Sequence, residues 1–217
     1  MPDAIRSLAA RLLGFAIIVF ARFITAVRAI WTDSEPETGQ RVYYANHTSN
    51  GDFILIWTVL PPDIRARTRP VAGSDYWFKS RLRTFIGKDV VNAVLIDRRP
   101  DARDTDPMET ILDALDTGVS LIIFPEGKRN NTEERILPFK SGIYNISVQR
   151  PEVELVPVWI ENLNHVMPKG KLIPIPLLCT VTFGPPIRAE AGEDRKAFLE
   201  CASNALLALA PEDEATA

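Results

Sequence analysis

Between residues 41 and 183 the chain alternates short apolar runs with longer segments of helical spacing, and Pro, Gly and Asp punctuate the joins. This rhythm is that of an α/β fold. Strands are expected at 41–45, 69–72, 93–97, 119–124, 154–160 and 178–183, several of them β-branched and continuously apolar enough for a sheet covered on both faces. Helices are expected at 52–60, 76–85, 106–117, 141–148 and 194–209, with Asp52 and Ser141 in capping positions. The expectation is one α/β domain: a mixed, largely parallel sheet flanked by helices. With 217 residues, 46% of them hydrophobic, there is material for a single core. Residues 161–176 carry Pro168, Pro174 and Pro176 and read as a long irregular connection, a rim or a lid.

The N-terminus departs from this pattern. Residues 12–21 read LLGFAIIVFA, and Arg6, Arg11, Arg22 and Arg28 stand on the flanks. A spanning helix needs roughly 20 apolar residues to cross about 30 Å of hydrocarbon, and this core reaches about half that depth. At about 100° per residue, Arg6, Ser7, Arg11, Arg22, Thr25 and Arg28 share one arc of a helical wheel. A helix lying in the headgroup region, with arginines toward anionic lipid, fits these features. So does a hydrophobic helix packed on the domain. A cleaved signal peptide fits less well, because Arg22 and Arg28 occupy the place of a small, neutral cleavage region. The chain divides into a membrane-associating helical segment, residues 1–31, and a globular domain, residues 32–217, ending in an acidic tail.

A net charge of −3 gives no global reason to expect nucleic acid, which calls for a basic surface, so any anion site must be local. Cys179 and Cys201 are far apart and lack nearby paired ligands, which argues against a disulfide framework or a zinc site and suits a reducing cytosol. No metal is expected, since the acidic run 101–106 has no ligand spacing. Trp57, Trp77 and Trp159 read as core or pocket wall, and His165 as a loop residue.

Chemistry concentrates at Asn46-His47-Thr48-Ser49-Asn50-Gly51-Asp52, where an expected strand gives way to an expected helix. Histidine is the side chain best suited to move a proton near neutrality. The turn can return Asp52 to the ring, fixing one nitrogen and leaving the other as base, the logic of a triad whose nucleophile comes from the substrate. Alone, a histidine and an aspartate five residues apart are a weak signal and read more readily as a hydrogen-bonded turn residue and a cap. Three further segments bear on the choice. Residues 119–129, VSLIIFPEGKR, run an apolar strand into Glu126, Gly127, Lys128 and Arg129; the glycine permits a sharp turn or close approach, and the two cations suit phosphate. The strand 93–97 delivers Arg98. Lys140 precedes a helix whose N-terminal amides also favour anions. Val156-Pro157-Val158, with no titratable group, reads as a wall.

In this order the segments resemble the 1-acylglycerol-3-phosphate acyltransferase family, across residues 42–187. The matching blocks are NHxSxxD at 46–52, a strand ending Ile96-Asp97-Arg98, FPEGKRN at 124–130 against the family's FPEGTRS, and Val156-Pro157-Val158. The resemblance implies His47 as general base, Asp52 as its orienter, Glu126 and Gly127 as formers of the site, and Arg98 and Arg129 as phosphate ligands, with Lys140 as a helper; Lys128, a cation of this chain's own, is a further candidate for contact with phosphate. It makes residues 32–217 an acyltransferase domain that moves a fatty acyl group from acyl-CoA or acyl carrier protein to 1-acylglycerol-3-phosphate, without a cofactor. Residues 4–30 would dock on the cytoplasmic face of the membrane as a peripheral or monotopic segment. Lys128, Asn130 and Asn92 stand where the family has Thr, Ser and often Gly, so another lysophospholipid or a lyso-aminolipid is an alternative acceptor. A phosphatase or hydrolase, and a non-catalytic lipid-binding protein, are rivals of other classes.

Overall fold

The strand Arg41–Ala45 (β2) is buried at every position, and its side chains divide between two cores: Tyr43 and Ala45 on one face, Val42 and Tyr44 on the other. Only a strand covered on both sides permits that. The computed structural model describes residues 3–33, 35–97, 106–161 and 178–211. Among them, β2 is the centre of a seven-stranded sheet that also contains Arg28–Trp31 (β1), Thr68–Gly73 (β3), Val94–Ile96 (β4), Ser120–Ile123 (β5), Glu154–Glu161 (β6) and Thr180–Phe183 (β7). The order is β1-β7-β6-β2-β5-β3-β4. All neighbours are parallel except β6 and β7, so the sheet is mixed and largely parallel, as expected.

One face is covered by helices Asp3–Thr25 (α1) and Asp52–Val59 (α2), the other by Pro107–Asp116 (α6), Gly142–Gln149 (α7) and Arg195–Leu207 (α8). Short helices Pro62–Ala66 (α3), Ser74–Trp77 (α4) and Arg81–Phe85 (α5) complete the α2 side. The helix expected at 76–85 is divided. Ser80 is extended and its hydroxyl caps α5 by accepting from the Arg83 amide, and a π-helical turn, Ile86–Val90, follows. Trp77 fills the gap so closely that a Cβ on Gly87 would lie 2.9 Å from its ring.

The expected caps also differ. Gly51, not Asp52, holds the N-cap of α2, and Ser141 makes no side-chain cap, whereas Asp106 and Asp194 do cap α6 and α8. The N-terminal helix stops at Thr25, and Arg28–Trp31 becomes an edge strand against β7, with Trp31 stacked on Phe183 at 4.0 Å between ring centroids. Arg28 therefore does not share the helical arc assigned to it. Val156 and Val158 are core residues under α2 and line neither pocket described below, so the expected wall is instead interior.

Small residues allow α1 to approach the domain. Ala10, Gly14, Ala21 and Thr25 are its buried positions, and a Cβ on Gly14 would sit 3.3 Å from Val90 and 3.5 Å from Trp57. The opposite stripe, Leu8, Leu12, Phe15, Val19 and Phe23, is exposed to solvent. With 23 residues, α1 is long and apolar enough to cross a membrane, longer than its ten-residue greasy centre suggested.

Candidate active site

The site forms where β2 ends, at the C-terminal end of the parallel strands, the usual place for a ligand in an α/β sheet. Asn46 continues the strand pairing through its side chain: Nδ2 donates to the Ile160 carbonyl at 2.9 Å, and Oδ1 accepts from the Ile160 amide at 2.8 Å. The next residue, His47, is thereby fixed against β6. Its main chain is held twice more, the amide donating to Glu126 Oε1 at 2.8 Å and the carbonyl accepting from the Asn130 amide at 2.6 Å. Its ring stacks on Phe124, with centroids 4.2 Å apart and planes 20° from parallel.

His47 Nδ1 lies 2.7 Å from Asp52 Oδ2. That oxygen also accepts the amides of Thr48 at 2.8 Å and Ser49 at 3.0 Å, so it is an acceptor and Nδ1 carries the proton directed at it. The Nε2 lone pair is left for a substrate. Asp52 is buried to 1% exposure while the His47 side chain retains 16%, so the acid is sealed and the base can be reached.

Glu126 closes the opposite side of the loop. It is 2% exposed, and its second oxygen accepts the Leu137 amide at 3.0 Å. Burial pushes this carboxyl above its ordinary range, opposed by the amides of Leu137 and His47. With both oxygens committed to main chain, Glu126 shapes the site and does not face a phosphate. Gly127 adopts φ of +70°, and a Cβ there would meet Lys140 Cε at 2.6 Å and Nζ at 2.7 Å, so glycine makes room for the lysine.

Lys140 and Ser141 line a pocket of about 480 Å³ together with His47, and Ile96, Ile111, Ile123 and Ile146 contribute apolar lining. Lys128 and Arg129 are exposed on the turn and do not line it. Arg98 and His165 lie outside the described residues. Beside α2 a second groove, about 680 Å³, runs along Leu13, Ile17, Phe20 and Ile24 of α1 and ends at Asn50 and Gly51 of the histidine loop.

The structure brings His47, Asp52, Glu126, Gly127 and Lys140 together in space. Spacing gives no part to Phe124 under the ring or to Asn130 on the His47 carbonyl, and it places Asn46 in the block without its bonds to Ile160. The signal for Phe124 was its place at a strand end directly before Pro125; Asn46 stands at the head of the NHxSxxD block, whereas Asn130 holds His47 through its main-chain amide, which leaves no pattern in a sequence.

The chain matches the family model described as Acyltransferase over residues 19–161, two-thirds of its length. A 1-acyl-sn-glycerol-3-phosphate acyltransferase of Cocos nucifera is 30% identical over 165 residues, covering 75% of this chain and 51% of that protein. The alpha form from Mus musculus is 26% identical over 179 residues, 80% of this chain and 60% of the relative. The chain thus spans about half the length of the curated relatives it matches. The crystal structure of the 1-acyl-sn-glycerophosphate (LPA) acyltransferase PlsC from Thermotoga maritima has the same fold, with a TM-score of 0.68 at 22% identity, covering 96% of this chain and 82% of that one.

Proposed function

Because this chain belongs to the acyltransferase family, we propose that it moves a fatty acyl group from a thioester, acyl-CoA or acyl carrier protein, to the free hydroxyl of 1-acylglycerol-3-phosphate, giving phosphatidic acid. The observation that carries this reading is the 2.7 Å contact between His47 Nδ1 and Asp52 Oδ2, with the ring lining a pocket that also holds Lys140. Nε2 takes the hydroxyl proton as the alcohol oxygen attacks the thioester carbonyl. Collapse of the tetrahedral adduct breaks the C–S bond, and the imidazolium returns the proton to the departing thiolate. Asp52 stabilises the imidazolium in between. A thioester is already activated, so a base and close placement suffice.

Lys140, Lys128 and Arg129 supply cations on the same turn-and-helix corner, where the acceptor phosphate would lie. An acyl chain has two apolar receptacles next to the histidine loop, the isoleucine-lined pocket and the groove along α1. The exposed stripe of α1 would rest in the bilayer at its cytoplasmic face. Contacts from Arg6 to Thr25 fasten α1 to the domain along its length, which favours lying on the surface over crossing it. A different lysolipid acceptor is the second reading, favoured by Lys128 and Asn130 in place of the family's Thr and Ser.

The test is thiol release with both donors against a panel of lysolipids, run on the parent and on His47→Ala. Transfer to lysophosphatidic acid by the parent alone supports the proposal. Phosphate release, or no transfer to any lysolipid, would refute it.

A further inference from the structure

At the end of the sheet away from His47, α1 and the start of β3 enclose a cleft of about 970 Å³. Its lining includes Arg11, Arg65, Arg69 and Lys88, together with Asp3 and an Arg6–Asp89 ion pair at 2.8 Å. Once that pair is set aside, four cations face one carboxylate, in a chain whose net charge is −3. Among the described residues neither Arg11 nor Arg69 has an acidic partner within bonding distance. Arg65 and Arg22 both donate to the Thr58 carbonyl, at 3.2 and 3.4 Å, so two guanidinium groups converge on a single neutral acceptor. Burial, and after it the charge of Arg22, pulls Arg65 below its ordinary value, which marks a spot short of negative charge.

The same cleft is lined by Phe15, which is 67% exposed and belongs to the outward apolar stripe of α1. An occupant of the cleft is therefore continuous with whatever covers that stripe. We propose that this cleft binds the phosphate headgroup of an anionic phospholipid from the bilayer on which α1 docks, the tails lying against Leu12 and Phe15. The proposal rests on the docking of α1 and is separate from the acceptor phosphate, which belongs at the His47 end of the sheet.

The experiment is sedimentation of the full chain with vesicles of phosphatidylcholine, and with vesicles in which part of it is replaced by phosphatidylglycerol. The parent should partition more strongly onto the anionic vesicles. Arg65→Gln with Arg69→Gln should lower that partition about 30-fold, from about fivefold per cation, and leave neutral-vesicle binding unchanged. Arg195→Gln with Lys196→Gln, an equal charge change on exposed α8 positions across the sheet, should keep the anionic preference. Should the Arg65/Arg69 variant melt early, Arg11→Gln with Lys88→Gln, both exposed, reads the same cleft. Equal loss in the α8 control, or retention of the preference in the cleft variants, would overturn the site. A parent that binds neither kind of vesicle would instead overturn the docking of α1.

Discussion

Glu126 holds His47 by its main chain and never touches the ring: the His47 amide donates to Oε1 at 2.8 Å while Oε2 accepts the Leu137 amide at 3.0 Å. Glu126→Gln keeps one acceptor and turns the other toward an N–H as a donor. The loss should be about 1–3 kcal/mol of stability, read by urea unfolding. Its pH dependence has a defined sign. Burial raises the folded carboxyl above its usual 4.5, so the folded parent binds more protons than the unfolded chain between the two values. The parent's advantage over the glutamine variant is fully present below 4.5 and shrinks as pH rises through the folded value. A deficit that grows from acid to neutral pH would contradict this.

His47→Ala should lower kcat by at least about 10²–10⁴-fold, the range for a general base. The fold should survive, because the ring is partly exposed and its main-chain anchors do not depend on the side chain. Thiol release and a circular dichroism melt check the two halves.

Arg129→Ala removes an exposed guanidinium from the turn that carries Gly127. If it contacts the acceptor phosphate, binding weakens by about 1.5–3 kcal/mol, seen mainly in KM for the lysolipid. A titration that leaves both KM and kcat at parental values would take Arg129 out of the site.

Gly127→Ala places a methyl on Lys140 at a φ of +70°. The backbone strain costs about 1–2 kcal/mol, and the displaced ammonium should raise acceptor KM more than it lowers kcat. Thermal unfolding and initial rates over an acceptor series separate the two effects.

Phe15 and Phe23 are 67% and 80% exposed on the outward stripe of α1. Replacing both with Ser removes about 1.5–3 kcal/mol of apolar burial per ring from a docked helix. Sedimentation with neutral vesicles should fall by more than tenfold, while the melting temperature stays near that of the parent. A truncation is a poorer test: removing residues 1–30 also takes most of β1 out of the sheet.

Local spacing made the six strands β2 to β7 and the helices α2, α6, α7 and α8 legible in the sequence, because each repeats its own period and carries its own punctuation. The fold class and the His47–Asp52 pair followed from residues close in sequence. What spacing could not reveal were relations between distant segments. β1 is four residues of mixed polarity whose partner, β7, lies about 150 positions on. The helix expected at 76–85 breaks because Trp77 needs the room beside Gly87 and Ser80 caps a new start.

At the site, the sequence by itself determined which groups could do the chemistry: an imidazole, a carboxylate five residues on, and a cationic turn after a strand. Only the tertiary structure decided that Asp52 orients the ring instead of capping its helix, and that Glu126, 79 residues from His47, grips its amide. Residue type and short-range spacing are written along the chain. The direction of a hydrogen bond is settled only when parallel strands β2, β5 and β6 bring their C-terminal ends together and burial leaves each polar group a choice among few partners.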